Sequence, residues 1–250
     1  MEHGMFEDMA PTHKVGFLKP LGVIDNAAYE FYRLAPRGVM AVMIPIGLGE
    51  FSARDVERVF APLDGYLDTL MGRHVDIVVQ SGTPLPILIG MEAHDRMMKH
   101  MAARTSLPAT STVLAVTNGA RDLGVKKIVL VNKWTDAMNK VLADFYARVG
   151  VETVGLATKS MAPKDFVTIG AREHMRLAYE LGKKAFLDFP QCDGIYMGGG
   201  TWIAEPVARQ LEAEFGRPVI CNTAAMVRES CKLIGAWKPV EGLSRMMATP

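Results

Sequence analysis

The sequence predicts an α/β protein of two similar halves, each built on a parallel sheet of four strands flanked by helices. Three observations predict it. Short apolar runs alternate with amphipathic stretches along the whole chain. The series restarts near the middle, so four candidate strands fall in each half. The runs are continuous rather than alternating, which fits strands covered on both faces, as in parallel sheets. Strand–helix alternation then implies right-handed βαβ units.

In the first half the candidate strands are Val15–Leu18, Val39–Ile44, Val75–Gln80 and a short one at Thr110–Thr112. In the second they are Lys127–Val131, Val151–Leu156, Gly194–Met197 and Pro218–Cys221. Ser52 precedes Ala53-Arg54-Asp55, a capping-box-like helix start with Asp where Glu is usual. Val56, Val59 and Phe60, then Leu63, Leu67 and Leu70, follow on one face. A helix over Asp136–Val149 turns Met138, Val141, Leu142 and Phe145 inward and stops at Gly150. Ala171–Phe186 and Trp202–Phe215 repeat the pattern. The halves open alike, with His13 to Pro20 answering Lys126 to Lys133. Their third strands end in small-residue turns, Ser81-Gly82-Thr83-Pro84 and Gly198-Gly199-Gly200-Thr201. Two lobes with strand ends facing across a cleft are expected, and open parallel sheets bind ligands beyond those ends.

Composition excludes several function classes. The net charge is +1, 49% of residues are hydrophobic, and no block of like charge occurs. Nothing there steers the chain toward nucleic acid or an anionic membrane. The three cysteines, Cys192, Cys221 and Cys231, have no CxxC spacing, so neither a disulfide framework nor a structural zinc is expected, and a cytoplasmic location is. His94 and His174 lie in helical stretches without metal-ligand spacing and read as surface or satisfied residues. Met1 to Thr12 lacks an apolar h-region, so no signal peptide is expected. No apolar run is long enough to cross a membrane. The 17 methionines read as adaptable core filler. The triple glycine is not Gly-x-Gly-x-x-Gly, and the P-loop ending is absent, so no cofactor is expected.

Four strand-end turns remain as candidates for chemistry: Lys19-Pro20-Leu21-Gly22, Gly82-Thr83-Pro84, Asn132-Lys133-Trp134-Thr135 and Gly199-Gly200-Thr201-Trp202. Glycine lets a ligand approach the backbone, whose N–H groups can cup an anion. Threonine adds a hydroxyl donor, and a following helix adds its positive dipole end. The candidate binding residues are therefore Pro20, Gly82, Thr83, Asn132, Trp134, Gly199, Gly200 and Thr201, for a small carboxylate. Lys19 and Lys133 are either solvated surface charges or groups that hold a carboxylate or give a proton. Trp134 and Trp202 either pack or wall the pocket. Cys221, at a strand end, is the one thiol placed to reach the cleft; Cys192 lies at the opposite end and Cys231 in a helix.

The stretch Leu107-Pro108-Ala109-Thr110-Ser111-Thr112 through Asn118-Gly119-Ala120-Arg121-Asp122-Leu123-Gly124-Val125-Lys126-Lys127 resembles arylmalonate decarboxylases and their maleate isomerase relatives in the aspartate/glutamate racemase superfamily. Gly47-Leu48-Gly49, the Gly82-Thr83 turn and Gly194-Ile195 before its small-residue turn resemble them too. The resemblance runs from about residue 13 to the end. It implies a first lobe of residues 14–115 plus 223–250, a second of 116–222, and an N-terminal extension, 1–13. The final helix, near Ala224 to Leu233, returns to the first lobe, and the active site lies between the lobes. Thr83 matches a carboxylate-binding hydroxyl, and Trp134 stands where the family commonly has a tyrosine. Pro84 replaces a second hydroxyl donor. The two positions that carry cysteines in the racemases match Gly82 and Gly199 here, and their neighbours are not cysteine either.

That departure removes two-thiol racemization and cysteine addition to a double bond. Decarboxylation survives best, since an oxyanion cradle beside an apolar pocket supplies much of the rate. The expected function is a cofactor-independent, decarboxylase-like lyase on a small carboxylate or dicarboxylate, with Lys19, Lys133 or water giving the proton. The alternatives are an isomerase, racemase-like or hydrolytic enzyme using non-cysteine groups, and a carboxylate-binding protein without catalysis. A homo-oligomer remains open.

Overall fold

The first half builds strands β1 (His13–Lys19), β2 (Val39–Pro45), β3 (Ile77–Gln80) and β4 (Ala109–Ser111), paired in the order β2-β1-β3-β4 with every pair parallel. The second builds β5 (Lys127–Asn132), β6 (Glu152–Thr158), β7 (Gly194–Met197) and β8 (Val219–Cys221) in the equivalent order, β6-β5-β7-β8, again all parallel. The computed structural model describes residues 10–24, 26–166 and 168–250. Residues 1–9 of the expected N-terminal extension lie outside the described residues, and His13 already belongs to β1.

The continuous apolar runs become strands buried on both faces. Ile77 and Val79 face one core cluster, while Val78 between them faces a second. That is the period-two alternation of a strand covered on each side. The first cluster continues through Ile128, Val129, Leu130 and Val131 of β5, so one apolar core joins both sheets.

Among the described residues the helices are α1 (Asn26–Leu34), α2 (Ala53–Phe60), α3 (Leu63–Met71), α4 (Pro84–Thr105), α5 (Thr112–Asp122), α6 (Asp136–Arg148), α7 (Pro163–Phe166), α8 (Ala171–Asp188), α9 (Glu205–Phe215), α10 (Asn222–Leu233) and α11 (Arg245–Ala248). The expected start at Ser52 holds: its Oγ accepts the Asp55 N–H at 3.2 Å, and Asp55 reaches back to the N–H groups of Glu50 and Phe51. The apolar face after it is carried by two helices rather than one. Ala61 and Pro62 separate α2 from α3, because proline has no N–H to continue the ladder. The helix expected from Trp202 begins at Glu205. Its first N–H groups, on Ala204 and Glu205, are both capped at 2.8 Å by Glu30 Oε1 from α1. A partner so distant in sequence leaves no local signal. The last long helix, α10, packs on α5 and α1, beside the first sheet.

His94 is fully buried, with Nε2 2.8 Å from the Ser111 Oγ and Asp95 on its other side. The trio looks like a nucleophile, base and acid. His94 and Ser111 are both fully buried, and the Ser111 Oγ accepts the Leu114 N–H at the start of α5. Its role is to staple α4 to β4.

A second polar cluster joins the two sheets. Tyr196 of β7 donates its hydroxyl to Asn222 Oδ1 at 2.5 Å, and its oxygen lies 2.8 Å from the Thr83 Oγ1 after β3. Asn222 Nδ2 approaches the same Thr83 oxygen at 3.5 Å, closing a buried triangle. With the Tyr196 proton on Asn222, the Thr83 hydroxyl must donate to Tyr196. Burial pushes the Tyr196 phenol well above its ordinary range, so it stays protonated and the pattern is fixed. Tyr196→Phe strands the Asn222 carbonyl oxygen away from water. It is expected to lower stability by about 1–3 kcal/mol, read from urea unfolding.

Candidate active site

The carboxyl ends of β1, β3, β5 and β7 converge on one cavity, closed on a further side by the first turn of α10. It encloses about 670 Å³, its mouth included. Of the residues expected at the site, Lys19, Pro20, Gly82, Lys133, Trp134, Gly199, Gly200 and Thr201 line this cavity together. Thr83 and Asn132 do not.

The two exceptions have a common physical reason: their polar groups are already engaged. The only hydroxyl proton of Thr83 goes to Tyr196. Asn132 holds its own turn together, donating to Asn139 Oδ1 at 2.6 Å and accepting the Trp134 N–H at 2.9 Å. Asn132 thereby sets the position of Lys133 and Trp134 without facing the cavity. Asn222, Met226, Phe51 and Ser81 also line the cavity and were not among the expected binding residues. Asn222 was findable, since it follows β8 directly and obeys the same strand-end rule.

Lys19 is the last residue of β1, and Lys133 the first after β5, so both lie at the carboxyl ends of matching strands but one residue out of step, since Leu18 matches Val131 and Lys19 therefore matches Asn132. Both are buried rather than solvated, with Lys133 1% exposed. Burial lowers Lys19 to about 8, with the Glu30 carboxylate working against the shift. Burial lowers Lys133 to about 7. Each ammonium lies over an aromatic face, Lys19 Nζ 4.7 Å from the centre of Phe17 and Lys133 Nζ 4.6 Å from that of Trp202. Lys133 also donates to the Thr201 Oγ1 at 2.7 Å.

The two glycine turns are not equivalent. Gly82 donates its N–H to the Thr112 Oγ1 at 2.7 Å, so that amide is closed to a ligand. Within the described residues nothing accepts the N–H groups of Gly199, Gly200 or Thr201. The open half of the cradle is therefore the second turn. Asn26 of α1 holds this turn in place by donating to the Thr201 carbonyl at 2.9 Å. Neither glycine position admits a side chain as it stands. A Cβ on Gly82 (φ +89°) would sit 2.4 Å from the Pro20 ring, and one on Gly199 (φ +128°) 2.6 Å from the Trp202 Nε1.

No cysteine lines the cavity. Cys221 ends β8 but is buried beside it, and burial raises its thiol well above the usual range. Cys192 lies before β7, at the far end of the sheet, and Cys231 is buried in α10. No group of three His, Cys, Asp or Glu side chains with metal-holding geometry occurs among the described residues, nor a helix long and apolar enough to cross a membrane.

Set against known families, residues 28–247 match the model of the arylmalonate decarboxylase family. The chain belongs to that family. The curated arylmalonate decarboxylase of Bordetella bronchiseptica is 26% identical over 234 residues, covering 90% of this chain and 92% of that protein. Among solved structures, a liganded, doubly substituted arylmalonate decarboxylase superposes with a TM-score of 0.85 at 23% identity, over 96% of this chain and all of that one. The maleate isomerase of Pseudomonas putida S16 superposes at 0.82 with 16% identity, over 95% of this chain and 98% of its own. Both share the fold of paired four-stranded parallel sheets flanked by helices.

The glycine geometry predicts a graded response. Gly82→Ala and Gly199→Ala are each expected to cost about 1–3 kcal/mol in urea unfolding, through the collisions with Pro20 and Trp202. Gly200→Ala, whose Cβ meets nothing within 4 Å, is expected to stay within about 0.5 kcal/mol of the parent.

Proposed function

We propose that the chain is a cofactor-independent, decarboxylase-like lyase acting on a small carboxylate or dicarboxylate, without a catalytic thiol. The observation that carries this reading is the composition of the cavity wall. Two buried lysines and the amides of Gly199 to Thr201, which have no acceptor among the described residues, face a space whose wall includes Leu21, Val23, Ile24 and Phe51, and no cysteine lines it. The amides and Lys133 suit an enediolate-like oxyanion. The apolar wall suits the carboxylate that must leave, since it withholds solvation from it. Membership of a family named for arylmalonate decarboxylation supports the same chemistry. The small-residue turn after β7 takes the place of the Thr83 donor expected from sequence.

Once CO₂ has left, the carbanion needs a proton. Lys19, lowered only to about 8, is mostly protonated near neutrality and lines the same cavity. It is assigned as the general acid, a role that usually contributes about 10²–10⁴-fold.

Purified protein incubated with a panel of arylmalonates and related diacids is expected to release CO₂. Silence across the whole panel, with the protein folded, would remove the support for a lyase. On the best substrate, Lys19→Met is expected to lower kcat by about 10²–10⁴-fold. The kcat of the parent should fall as pH rises through about 8, as the ammonium loses the proton it must give. A profile flat from pH 6 to roughly 9.5 would take the proton away from Lys19.

A further inference from the structure

Proton donation does not explain why Lys133 is built as it is. A general acid near neutrality is better served by Lys19, which keeps its proton to higher pH. Lys133 is more deeply buried, lies over the Trp202 face and is fixed by the Thr201 hydroxyl at 2.7 Å. That hydroxyl belongs to the turn whose amides are open to an anion. An amine, a hydroxyl that can pass a proton and an anion cradle thus share one corner of the cavity.

We propose that Lys133 is a covalent catalytic residue that forms an imine with the keto carbon of a small 3-oxo carboxylate. The inference rests on the reading of the cavity as a reaction site for small carboxylates. The neutral Nζ attacks the carbonyl carbon, and a proton passes from that nitrogen to the carbonyl oxygen to give a carbinolamine. Its hydroxyl leaves as water after a second protonation, passed through Thr201, and an iminium remains. The bond between the α-carbon and the carboxylate breaks, its electron pair moves toward the iminium nitrogen, and CO₂ and an enamine result. Lys19 protonates the enamine carbon. Water then adds to the iminium carbon, the ketone leaves, and the Lys133 amine is restored. The sum consumes one proton and one 3-oxo carboxylate anion and yields one ketone and one CO₂, with no oxidant or reductant.

The electrostatics agree with this division of labour. Near neutrality Lys133, lowered further than Lys19, more readily carries the lone pair that attack requires, while Lys19 more readily holds its proton. Two like groups pushed apart in pKa by their surroundings separate the nucleophile from the acid.

The test is to incubate the purified full chain with acetoacetate, reduce with sodium borohydride and map the product by mass spectrometry. A single reduced adduct on Lys133 is expected, lost in Lys133→Arg and retained in Lys19→Met. The trapped fraction should rise as pH passes through about 7. No adduct, or adducts scattered over exposed lysines and unchanged in Lys133→Arg, would overturn the proposal. If Lys133→Arg does not fold, the position mapped in the unaltered chain decides. Arylmalonates carry no keto group, so the two readings fail separately. Release of CO₂ from an arylmalonate with no trapping from acetoacetate leaves the lyase standing and removes the imine. Trapping on Lys133 without arylmalonate turnover keeps the imine and removes arylmalonates as substrates.

Discussion

Two ammonium groups held out of water beside one cavity set the terms for the rest of this protein. Taking a charge from water into a protein interior costs several kcal/mol unless something replaces its hydration. Here the replacement is partial. Lys19 has the face of Phe17 and the field of Glu30, and Lys133 has the face of Trp202 and the hydroxyl of Thr201. The rest of the cost appears as lowered pKa values. A carboxylate entering the cavity would meet two buried lysine side chains. Readiness to lose a proton is a consequence of that burial.

The symmetry of the sheets explains why matching strand ends meet at one cavity, and its breaking explains what lines it. β1 and β5 are the strands that pair centrally with β3 and β7, and each delivers a lysine at its carboxyl end. The backbone repeats in detail: Ser81 N–H reaches the Leu18 carbonyl, and Gly198 N–H the Val131 carbonyl. The next residue is where the halves part. Gly82 gives its amide to Thr112, and Thr83 gives its hydroxyl to Tyr196, so the first turn serves the joint between the sheets. The second turn keeps its amides open. One turn is engaged by its neighbours, and the amides of the other face the cavity without an acceptor among the described residues.

How much of this could be read from the sequence divides along the range of the interactions. Strands and their order of appearance were legible, because both-face burial writes itself as continuous apolar runs such as Ile77-Val78-Val79. The lysines were legible by place, since the residue at a strand end is fixed by the strand. Burial could not be read, and so neither could the choice between a solvated charge and a functional one. Thr83 and Asn132 were legible as polar residues in the right turns but not as engaged ones. The Tyr196 that takes the Thr83 hydroxyl lies 113 residues away. The same limit hid the start of α9, whose capping group is Glu30, and the part of Asn222, which is both wall and joint.

Gly199 shows why the open cradle and a bare backbone go together. A φ of +128° is territory that residues with a Cβ rarely enter. The space such a Cβ would need is filled by the Trp202 indole, which also forms the face under Lys133. A side chain at 199 would therefore have to change the turn, displace the indole and unseat the lysine at once. A thiol carried there and an amine held by Trp202 are competing solutions to the same geometry. The chain has a glycine, an indole and a lysine, and the chemistry open to the site follows from that choice.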